Sequence, residues 1–115
     1  MSRDVMAEIR DEIAANKVLL YMKGNPSFPM CGFSAATIEV LRAVGRPFGH
    51  VNILEDPEKR EAIKAYSNWP TIPQLYINGE FVGGCDIVQD LYASGELQRL
   101  LAQAFDGDAA AAKHS

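Results

Sequence analysis

Cys31 and Cys85 are the only cysteines in this chain, and Cys31 has the more telling surroundings. It lies in "KGNPSFPMCGFSAATIEVL", residues 23–41, where a proline-bearing loop meets a helix-like run. Exposed amides and the dipole at a helix start favour the thiolate, which is both the nucleophile and the metal-binding form of cysteine. The plainer alternative is a small buried hydrophobe. Gly24, Pro26 and Pro29 before it and Gly32 after it argue instead for exposed backbone. Three positions on, where a C-x-x-C redox pair would carry its second cysteine, stands Ser34. A dithiol enzyme uses that second sulfur to resolve a mixed disulfide. With a hydroxyl there the route is closed, and the thiolate is free to remain a ligand.

Other candidates are weighed against plainer roles. Lys23 and Arg60 carry charges that are usually solvated. Pro73, after Ile72, either adopts a cis bond or merely ends a loop, and the sequence leaves its isomer open. Gly83-Gly84-Cys85-Asp86 leads into a helix whose amides could attract a carboxylate, with Asp86 as a candidate N-cap. Phe33 is close enough to Cys31 to wall one side of a site, whereas Trp69 reads as packing. His50 and His114 show no metal-ligand spacing. Asp11 and Glu12 belong to a solvated helix face.

The elements that must position these residues can be read from periodicity and breakers. Val5, Ile9 and Ile13 predict an amphipathic helix over 4–16. "KVLLYM" (17–22) predicts a buried strand ending at Gly24-Asn25-Pro26. Phe33, Thr37 and Leu41 continue as a helix to Gly45, and "PFGHVNI" (47–53) predicts a second strand. Asp56-Pro57 opens a third helix running towards Tyr66. Asn78-Gly79 between "QLYIN" and "EFVGG" signals a hairpin. Asp86 and Gln89 resemble a capping box, and Leu97, Leu100, Leu101 and Ala104 form a last helix. The order α-β-α-β-α-β-β-α-α implies an α/β fold with a four-stranded mixed sheet flanked by helices.

Composition narrows the function classes. The 115 residues suit one domain, and 48% hydrophobic with 23% charged residues is ordinary for a soluble protein. A net charge of −4 argues against a nucleic-acid partner. No apolar run is long enough to span a membrane. Two cysteines are too few for a stapled secreted scaffold, and Asp4, Glu8, Asp11 and Glu12 do not suit a transit peptide. A reducing, cytoplasmic setting is expected.

"KGNPSFPM", "CGFS" at 31–34, "WPTIPQLYINGEF" at 69–81 and "VGGCDI" at 82–87 together resemble the monothiol glutaredoxins of the CGFS type. The match runs from about Lys17 to Leu101 and implies a thioredoxin-like fold. A glutaredoxin domain is expected over 1–107, and the stretch after Asp106, alanine-rich and without apolar anchors, is expected to leave a flexible tail over 108–115. The resemblance also implies two cofactors, glutathione and a [2Fe–2S] cluster. By the resemblance, Lys23 and Arg60 grip the glycyl carboxylate of glutathione, and the backbone of Ile72 pairs with its cysteinyl unit. The amides of Cys85 and Asp86 take the γ-glutamyl carboxylate, the Asp86 side chain faces the ammonium, and Cys31 ligates iron.

Four sulfurs generally hold such a cluster. Two chains, each contributing Cys31 and a glutathione, would supply them in a cluster-bridged homodimer. The expected function is cluster carriage in assembly, delivery and iron homeostasis, with apo iron–sulfur proteins as acceptors and a BolA-like protein as partner. The competing expectation is a weak glutathione-dependent thiol–disulfide oxidoreductase, using Cys31 with Cys85 as a distant resolving thiol.

Overall fold

A computed structural model describes residues 3–114, with side chains described for 3–105. Asp4 caps α1 (Val5–Ala15) by accepting from the Ala7 amide at 3.0 Å, and Ile9 and Ile13 turn one face of that helix inward. β1 (Val18–Met22) is buried along its whole length. It lies at the centre of a sheet ordered β2-β1-β3-β4, parallel to β2 (Gly49–Asn52) and antiparallel to β3 (Gln74–Ile77). Asn78 and Gly79, with φ of 53° and 85°, make the tight turn into β4 (Glu80–Gly83), as that dipeptide predicts.

α2 (Gly32–Val44) ends at Gly45, whose φ of 81° lets its amide return to the Leu41 carbonyl. α3 (Pro57–Ser67) starts as expected, with Asp56 accepting from the Lys59 amide and Pro57 in the first turn. α4 (Cys85–Ala93) and α5 (Glu96–His114) follow the hairpin. The tail expected over 108–115 lies outside the fully described residues.

Alternation along the strands divides the core between the two sheet faces. Val18, Leu20, Met22, Leu75 and Ile77 face α2, α4 and α5 through Ile38, Leu41, Val88, Leu97 and Leu101. Leu19, Tyr21 and Tyr76 face the other way, onto Ile9 and Ile13 of α1 and Ile63 of α3. Each such side chain, moved wholly out of water, contributes about 1.5–3 kcal/mol.

Two local expectations are corrected. The second strand is shorter than 47–53: Ile53 already belongs to a 3-10 turn, Ile53–Glu55. The Asn52 side chain accepts from the Leu54 amide at 3.0 Å and from the Gly24 amide at 2.9 Å, which draws the chain off the sheet. The capping box at Asp86 does not form. Gly84 is the N-cap of α4 with no side-chain cap bond, and Asp86 lies within the first turn. The chain leaves β4 through Gly83 at φ 154° and turns into the helix sooner than the side-chain signal suggests.

Candidate functional site

β1 delivers Lys23 to the start of the loop, and the loop is held by its own hydrogen bonds. The Met30 amide donates to the Lys23 carbonyl at 2.8 Å, and Gly24 and Pro29 form an isolated antiparallel bridge. The Asn25 side chain accepts from the amides of Ser27 and Phe28, both at 2.9 Å. Arg42 of α2 donates to the Pro26 carbonyl at 2.9 Å. Only glycine suits position 24. Its φ is +89°, and a Cβ there would stand 2.4 Å from the Phe28 carbonyl oxygen. The loop displays Phe28 and Met30, which with Phe33 are 74%, 66% and 64% exposed, so large apolar side chains stand open to solvent on both sides of Cys31 in the chain.

Cys31 is the N-cap of α2, as the loop-to-helix junction predicts. Its half-buried sulfur accepts from the Ser34 amide at 3.3 Å and lies 3.4 Å from the Ser34 hydroxyl oxygen. Ser34 is fully buried, and its hydroxyl accepts from the Lys23 amide at 3.1 Å. Partial burial pushes the Cys31 thiol up. The Ser34 hydroxyl, the amides of Ser34 and Phe33 and the charge of Lys23 outweigh it, leaving the thiol below its ordinary value. Cys85 is also a free thiol, but buried.

Beside this sulfur lies a cleft of about 400 Å³. Lys23, Arg60, Ile72, Cys85 and Asp86 all line it, so the five residues expected to meet a ligand, scattered over the sequence, share one wall system. Cys31 is not among the lining residues. It adjoins the cleft through Phe33, which is, and through the Lys23 charge that acts on its sulfur. The bond between Ile72 and Pro73 is cis, and both residues are in the lining.

Two lining residues extend the expected set. Lys64 follows Arg60 by four positions on α3, so the pair shares a helix face, and that spacing was available in the sequence. Trp69, expected to be packing, borders the cleft as well as meeting the Phe81 ring at 5.7 Å in a tilted arrangement. Its indole nitrogen is buried without a hydrogen-bond partner. Lys23, Arg60 and Lys64 against Asp86 make the lining cationic in a chain whose net charge is −4. Such a surface suits a small ligand with more carboxylates than ammonium groups. No helix among the described residues is long and apolar enough to cross a membrane.

Comparison with known proteins places the chain in a family. The family profile "Glutaredoxin" matches residues 18–82. "Glutaredoxin 4" of Pasteurella multocida is 50% identical over 99 residues, covering 86% of this chain and 91% of that protein. A Synechocystis protein named as a monothiol glutaredoxin is 50% identical over 101 residues, covering 88% of this chain and 94% of its own length. Among solved structures, reduced apo GrxS14 of poplar superposes with a TM-score of 0.76 at 48% identity, covering 85% of this chain and 90% of the poplar chain. With a thioredoxin-like fold, one reachable thiol and Ser34 where the second would stand, the chain belongs to the glutaredoxin family, in its monothiol branch.

Proposed function

We propose that the chain binds glutathione in the cationic cleft and carries a [2Fe–2S] cluster as cargo, bridged between two copies. The observation that carries this reading is Ser34: the thiol most open to reaction has a buried hydroxyl, and no sulfur, in the resolving position. Cys31 thus stays available as a ligand. Among the described residues no three His, Cys, Asp or Glu side chains are grouped to hold a metal ion. One chain therefore leaves most of a four-sulfur set to be found elsewhere. The thiol of a bound glutathione and the same pair from a second copy would complete it.

In this reading Lys23 and Arg60 hold the glycyl carboxylate, and the Ile72 backbone pairs with the cysteinyl unit. The amides of Cys85 and Asp86 take the γ-glutamyl carboxylate, with the Asp86 carboxylate towards the ammonium. The apolar collar of Phe28, Met30 and Phe33 would limit water around the sulfurs. Two of the four ligands are small molecules that can exchange, which suits delivery to apo iron–sulfur proteins, with a BolA-like protein as an alternative partner. The proposed setting is the cytoplasm, and the proposed role is cluster assembly, delivery and iron homeostasis.

Anaerobic reconstitution with iron, sulfide and glutathione tests the reading. The expected result is visible absorbance together with a doubling of mass, both lost in Cys31→Ser. A colourless product, or colour that survives Cys31→Ser, would overturn it. A second reading, weak glutathione-dependent thiol–disulfide exchange, is favoured by the presence of Cys85 in the same cleft. Deglutathionylation at the rate of a dithiol glutaredoxin would favour that alternative.

A further inference from the structure

Lys59 is 7% exposed, a rare degree of burial for a lysine. Its ammonium pairs with Glu12 of α1 and lies 3.6 Å from Glu8. The other Glu12 oxygen accepts from the Tyr21 hydroxyl of β1 at 2.7 Å. Arg3 reinforces the junction from outside by bridging Glu8 and Asp56. One buried cation thus ties α3 to a helix and to the central strand at once.

The phase of α3 gives that tie a consequence. Lys59 and Ile63 are its buried residues, four apart and so on one row facing α1. Arg60 and Lys64 occupy the next row, about 100° further round, and line the cleft. The apolar packing of α3 lies in its middle and C-terminal half, where Ile63 is fully buried and Ala62 and Tyr66 pack partly buried beside it, which leaves the first turn of the eleven-residue helix without an apolar anchor. Lys59 supplies a second fixed point one turn away. We propose that Lys59 is a positioning residue for the ligand site, fixing the rotation of α3 that aims Arg60 and Lys64 into the cleft.

This inference rests on the glutathione reading, and calorimetric titration with glutathione separates the two. Lys59→Met keeps the length of the side chain and removes the tie. Exchange of a buried ion pair member for an apolar group is severe only when its partner is left buried, and Glu12 keeps the Tyr21 bond and partial access to water. The variant is expected to fold, as checked by its thermal midpoint, and to bind glutathione about tenfold more weakly. Lys59→Arg, which can still reach Glu12, is expected to restore binding.

Glu12→Ala distinguishes positioning from long-range charge. It cuts the tie while making the chain less negative, so positioning predicts weaker binding and a simple field effect predicts tighter binding. Wild-type affinity in Lys59→Met, or tighter binding in Glu12→Ala, overturns the proposal and leaves the glutathione reading intact. Absence of binding by the unaltered chain overturns both.

Discussion

Partial burial and four favourable contacts compete at the Cys31 sulfur, and the contacts prevail. Because the folded thiol lies below its ordinary value, the thiolate fraction at neutral pH exceeds that of a free cysteine, which titrates near ~8.5. Alkylation of Cys31 by iodoacetamide should accordingly reach half its maximal rate at a lower pH than alkylation of a free cysteine measured alongside it. Ser34→Ala should move the midpoint upward and slow the reaction at neutral pH by about threefold to tenfold, since a hydrogen bond to a charged acceptor is lost. An unchanged midpoint would remove Ser34 from the account of the sulfur. At this scale the sequence was informative where chemistry and position coincide. The motif at 31–34 identifies both partners of the sulfur contact. Lys64 is not legible there because its place depends on which way α3 is turned, and its pairing with Glu61 at 2.9 Å is that of an ordinary surface charge.

The helix starts show how differently two similar signals resolve. Asp56 both caps α3 and meets Arg3, whose guanidinium, followed by the Lys59 amide, lowers its carboxyl to about 2 from the ordinary 3.8. A carboxyl depressed on folding stabilises the native state above its unfolded value. That contribution shrinks as pH falls from about 4 towards about 2. Asn caps a helix comparably but does not ionise. Asp56→Asn should therefore lower the thermal midpoint near neutral pH, with a gap from the unaltered chain that closes below about pH 4 and narrows in high salt, since the pair is exposed. A gap that stays constant down to pH 2 would exclude the ionic contribution. Asp86 is equally suited to capping by residue type, yet backbone freedom at Gly83, with φ of 154°, lets α4 begin at Cys85. Residue preferences locate such boundaries only when no glycine nearby offers the chain an earlier turn.

Across the molecule, the central strand made the fold legible. Five consecutive buried residues in β1 require helices on both sides of the sheet, and the α-β-α-β-α-β-β-α-α order supplies them. Which helices cover which face was less accessible, because it follows from the sheet order and from packing between distant segments. Leu75 tests the shared core: it is wholly buried in β3, between β1 and β4, and faces α2, α4 and α5. Leu75→Ala should cost about 2–5 kcal/mol through lost burial and a residual cavity, a large part of the ~5–15 kcal/mol typical of a domain. Chemical denaturation would register this as a lower midpoint with little change in slope. A cost below ~1 kcal/mol would mean that Leu75 is not packed as its full burial against α2, α4 and α5 requires.

The loop ahead of Cys31 closes on itself at Gly24–Pro29, satisfies two of its amides from Asn25, and is tied to the scaffold by side-chain hydrogen bonds from Asn52 and Arg42. It is therefore a portable module. Anyone transplanting it onto another strand-to-helix junction must carry over Gly24, because the turn has no room for a substitute, and must provide stand-ins for Asn52 below and Arg42 behind. The Phe28 ring at its tip can be redesigned more freely, since it is 74% exposed and no hydrogen bond of the loop uses its side chain.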